Sequence, residues 1–306
     1  MAIDIDSPSF KRIAQERTIW DRIAYGGVFT EGPVWHSHKG YLVWVDIIGD
    51  TIWKWVPGEG ASILLRPSSK ANGTTYDRQG RLVVAGWSSR TIWRIEHDGS
   101  IVTLASHYKG KKLGTPNDIV VKSDGAIYFT DGSGGLTRPG HESRGADLQR
   151  YLDFNGIYRI DPEDGTLTLL VNDFENPNGL TFSPDESALY INDSMRRHIR
   201  VFDVNPDGTI SNGRLFTDVT GDDYPGSPDG MKVDVEGNVY CTGPGGIHVF
   251  DTQANYLGRI RTPEQAQNFC WGDKDWKSLY ITARGSVYRT RLKIPGVPVA
   301  IVEGLS

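Results

Sequence analysis

Leu42-Val43-Trp44-Val45-Asp46, followed after a short break by Thr51-Ile52-Trp53-Lys54-Trp55, is the stretch on which the fold turns. Apart from Asp46 and Lys54, both runs consist of β-branched, aliphatic and aromatic side chains, the composition that fits a pleated, half-buried surface. The same pair recurs along the chain. Leu82-Val83-Val84-Ala85 precedes Thr91-Ile92-Trp93-Arg94-Ile95, and Ile127-Tyr128-Phe129-Thr130-Asp131 precedes Gly156-Ile157-Tyr158-Arg159-Ile160. Leu189-Tyr190-Ile191-Asn192-Asp193, Val239-Tyr240-Cys241-Thr242 and Leu279-Tyr280-Ile281-Thr282 open the remaining three pairs. Successive units step by 40, 45, 62, 50 and 40 residues. A period of that size with several short strands per unit is the signature of a propeller blade. Six units predict an all-β, six-bladed β-propeller.

The connections agree with that reading. Asp98-Gly99, Asp124-Gly125, Asp164-Gly165 and Asp207-Gly208 are tight-turn dipeptides, since Gly accepts positive φ and Asp hydrogen-bonds its own backbone. Residues 1–19 are expected to form an N-terminal arm or short helix, and residues 20–306 a single propeller domain. Either Trp20–Ala24 or the tail Val297–Val302 should close the ring by completing a blade. The long third step holds a polar insertion, Gly132–Phe154, which reads equally as a surface loop or as a lid over one face.

Composition narrows the function. With 306 residues and 38% hydrophobic side chains the chain can bury a large core. A net charge of −5 argues against a nucleic-acid partner. No apolar run approaches a membrane span, and Met1–Trp20 lacks the apolar core of a signal peptide. Cys241 and Cys270 read as buried free thiols in a reducing compartment, which points to the cytoplasm.

Four short segments stand out against this scaffold: Glu31-Gly32-Pro33, Pro116-Asn117-Asp118, Pro177-Asn178-Gly179 and Pro228-Asp229-Gly230. Each places an oxygen-bearing side chain beside a Pro or Gly, in a different repeat. Equivalent positions in a propeller converge on its central channel. Two carboxylates with neutral amides suit a hard divalent cation such as Ca²⁺, Mg²⁺ or Mn²⁺. The histidines and cysteines have no zinc-site spacing. Taken singly, Asn-Gly and Asp-Gly are ordinary turn dipeptides. No Gly-x-Ser-x-Gly nucleophile elbow and no phosphate loop is present. The tryptophans are blade-packing residues first, with Trp87 and Trp271 the two that could line a pocket.

In this order, Glu31-Gly32-Pro33-Val34-Trp35, Pro116-Asn117-Asp118, Asn178-Gly179-Leu180 with Phe182-Ser183-Pro184-Asp185, and Pro228-Asp229-Gly230-Met231 resemble the gluconolactonase / senescence marker protein (regucalcin) / luciferin-regenerating-enzyme family. The similarity runs from about Ala24 to Arg289. It implies a six-bladed propeller with one divalent cation in the channel, Ca²⁺ foremost, with Mg²⁺, Mn²⁺ or Zn²⁺ as alternatives. It further implies Glu31, Asn178 and Asp229 as metal ligands, Asn117 as a substrate or outer-sphere contact, and Asn72 as a second substrate-side residue. Two departures are visible. Thr115 stands where animal members carry a substrate-binding Arg, and Gly132 where many bacterial members have Pro.

The expected activity is opening of a sugar-acid lactone to the aldonic acid, with Asp229 as general base as well as ligand. Two other readings share the scaffold: a non-catalytic, metal-stabilised binding module, and a hydrolase of another ester or a phosphotriester.

Overall fold

The computed structural model describes residues 4–5, 8, 10–15, 18–137, 147–220 and 224–302. Six antiparallel sheets of four strands form a six-bladed propeller. Blade 1 comprises Thr30–His36, Tyr41–Asp46, Thr51–Val56 and Gly60–Leu65, from the channel outward. Blade 2 comprises Ala71–Tyr76, Leu82–Gly86, Thr91–Ile95 and Ile101–Ala105. Blade 3 comprises Thr115–Val121, Ile127–Gly132, Asn155–Ile160 and Leu167–Phe174. Blade 4 comprises Pro177–Phe182, Ala188–Asp193, His198–Val204 and Ile210–Asp218. Blade 5 comprises Met231–Val233, Val239–Gly243, Gly246–Phe250 and Tyr256–Arg261, with Asp4–Ile5 added at its outer edge. Blade 6 comprises Ala266–Gly272, Ser278–Ala283 and Ser286–Arg291, and its outermost strand is Asp21–Tyr25.

The N-terminal segment therefore closes the ring, pairing Asp21 with Arg289 and Tyr25 with Ser286. The tail, the other candidate, forms no strand. Pro295 and Pro298 remove donors that a ladder would need. It crosses one end of the channel instead, with Val297 N–H donating to the Val233 carbonyl and Val302 N–H to that of Arg78. Ahead of the closing strand, the four-residue helix Phe10–Ile13 buries Phe10 and Ile13 against Tyr240, Phe269 and Leu292, between blades 5 and 6.

Burial explains which strands the sequence announced. The innermost strand of blade 1 is buried along its whole length, whereas the outermost exposes most of its residues. The second strand, Tyr41–Asp46, lies between neighbouring blades, so both its faces are apolar. The recurrent pairs in the sequence are the second and third strands of each blade. The innermost strands read as Gly/Pro turns, and the structure corrects this: Glu31, Asn72, Asn117 and Asn178 lie within strands, with Asp229 just before one.

Of the insertion, residues 138–146 lie outside the described residues. The flanking parts are anchored. Gly134–Thr137 is a short helix, Leu152 is core, and the buried Arg90 guanidinium donates to the carbonyls of Leu113, Asp147 and Gln149. Cys241 and Cys270 are both free and buried. His36 is 2% exposed; it braces the turn by accepting from Lys39 N–H while packing on Tyr41 and Tyr76.

Candidate active site

Five of the six innermost strands have an irregularity near their start. The pairing register shifts between Glu31 and Val34, Ala71 and Thr74, Pro116 and Ile119, Pro177 and Leu180, and Ala266 and Asn268. A bulge re-aims the side chain that it carries. The residues at these positions are Glu31, Asn72, Asn117, Asn178 and Gln267, and Asp229 takes the equivalent place before the short strand of blade 5. All six line one cavity of about 320 Å³ at the channel mouth opposite the tail. Phe29, Ile47 and Trp87 give it apolar lining, and Ser194, Ser227, Gln265 and Arg284 add polar lining.

The ring is this tight because glycine follows four of its members. A Cβ on Gly32 would lie 2.1 Å from the Asn72 carbonyl oxygen, and one on Gly179 would lie 2.2 Å from that of Asp229. Without a side chain, the inner strands of adjacent blades touch directly: Gly179 N–H donates to the Asp229 carbonyl at 3.1 Å, and Gly230 N–H to that of Gln267 at 2.8 Å. Asn192 Nδ2 also donates to the Asp229 carbonyl, at 2.6 Å, and Ser194 Oγ to that of Pro228. The backbone around Asp229 is thus held from blades 4 and 6.

Two carboxylates share the site. Glu31 is 3% exposed. Burial, then the negative charge of Asp229, then that of Asp118 drive its pKa well above the ordinary carboxylate range. The Gly32 N–H at 3.0 Å and the Asn268 side chain oppose that rise without cancelling it. A cation between the carboxylates would relieve the strain. Asn178 supplies a further donor: its Nδ2 is spent on Ser194 Oγ at 3.0 Å, and its Oδ1 is buried without a hydrogen-bond partner. Carboxylate, carboxylate and amide oxygen fit a hard divalent cation. Among the described residues no group of three or more His, Cys, Asp and Glu is placed to hold an ion, so the mixed set is the candidate.

All five residues singled out in the sequence come together here. Asp118 does not line the cavity; its Oδ1 accepts from Ile119 N–H and its Oδ2 lies 3.6 Å from Lys232 Nζ. Thr115 is committed to structure, donating to the Gly132 carbonyl and accepting from Gly135 N–H, both at 3.2 Å. Trp87 lines the site, whereas Trp271 belongs to the core and to the cavity under the tail. Gln267 and Arg284 were missed. The signal for Gln267 is positional: every ring member stands ten to twelve residues before the apolar run of its repeat. Gln267 has neither Pro nor Gly beside it, so no turn dipeptide marks it.

The profile of the SMP-30/Gluconolactonase/LRE-like region matches residues 29–285. A gluconolactonase of Zymomonas mobilis is 33% identical, the alignment covering 95% of this chain and 86% of the relative. The pentonolactonase XacC of Haloferax volcanii is 28% identical, over 83% of this chain and 81% of its own. Among solved structures, a gluconolactonase from Xanthomonas campestris superposes with a TM-score of 0.87 at 30% identity, over 95% of each chain. The chain belongs to the SMP-30/gluconolactonase/LRE-like family.

Proposed function

We propose that the protein is a metal-dependent lactonase that opens a sugar-acid lactone to the aldonic acid. The carrying observation is the ring itself: two carboxylates and an unpartnered amide oxygen line one polar cavity of ligand size. The relatives named gluconolactonase and pentonolactonase support the substrate class. Glu31, Asn178 and Asp229 would hold one divalent cation, with Ca²⁺ the first choice for an all-oxygen set that includes a neutral amide. Once bound, the ion would polarise the lactone carbonyl and stabilise charge on its oxygen.

The protein's own groups do the rest. Asp229 takes a proton from the attacking water as the water oxygen adds to the carbonyl carbon. The ring C–O bond then breaks, the former ring oxygen takes up a proton, and the new acid ionises with net release of one proton. Asn117 and Asn72, from adjacent blades, orient the sugar hydroxyls. Phe29, Ile47 and Trp87 cover an apolar face of the ring and exclude bulk water. A cytoplasmic location is supported by the two buried free thiols. Among the described residues no helix is long and apolar enough to cross a membrane.

Asp229→Asn tests the assignment. Glucono-δ-lactone hydrolysis, followed by proton release and corrected for spontaneous opening, should fall by about 10²-fold or more while the melting curve stays close to wild type. Wild-type turnover in that variant would remove Asp229 from the base role. Cation binding without turnover of any lactone in the wild type would identify a binding module instead.

A further inference from the structure

Blade 6 brings no carboxylate to the site, only the amides of Gln265 and Gln267 and the guanidinium of Arg284. Gln267 is 4% exposed, and its Oε1 accepts the Arg284 N–H at 2.6 Å. The amide Nε2 is therefore the end that a ligand would meet. Arg284 and Gly285 form the two-residue turn between the second and third strands of this blade, Ala283 pairing with Ser286. Blade 1 clamps that turn: Thr30 N–H donates to the Arg284 carbonyl at 2.6 Å, Thr30 Oγ1 to the same carbonyl at 3.0 Å, and Gly27 N–H to that of Gly285. A fixed backbone thus presents the Arg284 side chain, which is exposed, at the cavity rim. Among the described lining residues Arg284 is the only cation, and among the described residues it has no carboxylate partner. Its recorded side-chain contact is Gln265 Oε1, a neutral acceptor at 3.4 Å.

We infer that Gln267 and Arg284 form a specificity-determining subsite for lactones carrying an anionic oxygen group, phosphate or carboxylate, at the end remote from the lactone carbonyl. This rests on the lactonase reading. The carbonyl must reach Glu31, Asn178 and Asp229, so the far end of the substrate meets the rim. Planar guanidinium and amide donors are the groups that match an oxyanion there. On blade 3, Thr115 has its hydroxyl already engaged and offers no charge. The cavity's cationic side chain comes instead from blade 6, as Arg284.

The test compares kcat/KM for 6-phosphoglucono-δ-lactone, glucaro-δ-lactone and neutral glucono-δ-lactone in wild type, Arg284→Gln and Arg284→Lys. Equilibrium binding of the stable acids 6-phosphogluconate, glucarate and gluconate is measured alongside. Wild type should prefer an anionic lactone, and Arg284→Gln should cut that preference about tenfold, with Arg284→Lys restoring part of it. The phosphate and carboxylate arms say which oxyanion is read, and the acids should show the same order of binding. Turnover of the neutral lactone with no anionic preference, and none lost in Arg284→Gln, overturns the inference and leaves the lactonase reading standing. Turnover of none of the three overturns both.

Discussion

At the residue scale, the same physics sets apart the groups that serve the site and the groups that serve the fold. Asn178 has one end of its amide anchored and the other buried without a partner, an arrangement that costs stability unless something occupies it. His36, at the far end of the same innermost strand as Glu31, is buried with its Nε2 unpartnered. Burial lowers its pKa to about 4, with Lys39 and His38 adding to the effect. The unfolded chain takes up this proton near the ordinary value of about 6.5, and the folded chain does so only near 4. Stability from a neutral His36 is therefore complete above about pH 6.5 and is lost as pH falls toward 4. Melting temperatures of wild type and His36→Gln, taken from pH 7 to 4.5, should show a steeper acid loss in wild type. Parallel profiles would contradict the burial argument.

At the element scale, the innermost strands carry both the site and the closest packing. Gly179 accepts no Cβ, because the Asp229 carbonyl oxygen would be 2.2 Å away and Met231 N 2.9 Å away. Gly179→Ala should destabilise the protein by about 2 kcal/mol or more, the cost of overpacking against backbone. It should also lower turnover, because relief comes from moving the Asp229 backbone. Chemical denaturation and the lactone assay read the two effects, and a variant with wild-type stability would contradict the contact. The second and third strands were legible in the sequence because burial between blades demands unbroken apolar runs such as Leu42–Val45. The innermost strands were not, because contact at the axis selects Gly32, Gly73, Gly179 and Gly230, which look like turns. Gln267-Asn268 at the equivalent place carries no such mark, so the sixth member of the ring emerged only from the structure. The tail has a strand's composition, yet its prolines and its path across the channel keep it out of any sheet.

At the scale of the whole molecule, the repeat decides what converges. The repeat period sets the blade count, and the closing strand Asp21–Tyr25 ties the first part of the chain to the last blade. Closure makes the six inner-strand starts neighbours although Glu31 and Gln267 are far apart in sequence. The tail covers one mouth of the channel and the polar cavity opens at the other. Under the proposed function, this convergence builds a single cation site on which lactone opening depends. The most direct measurement strips the protein of metal and titrates it with Ca²⁺, Mg²⁺, Mn²⁺ and Zn²⁺ by calorimetry, following glucono-δ-lactone hydrolysis in parallel. One ion should bind per chain and turnover should return in step with occupancy. Asn178→Ala should weaken binding and turnover together by about tenfold or more. Full turnover in the stripped protein, or an ion whose affinity ignores Asn178, would contradict the account.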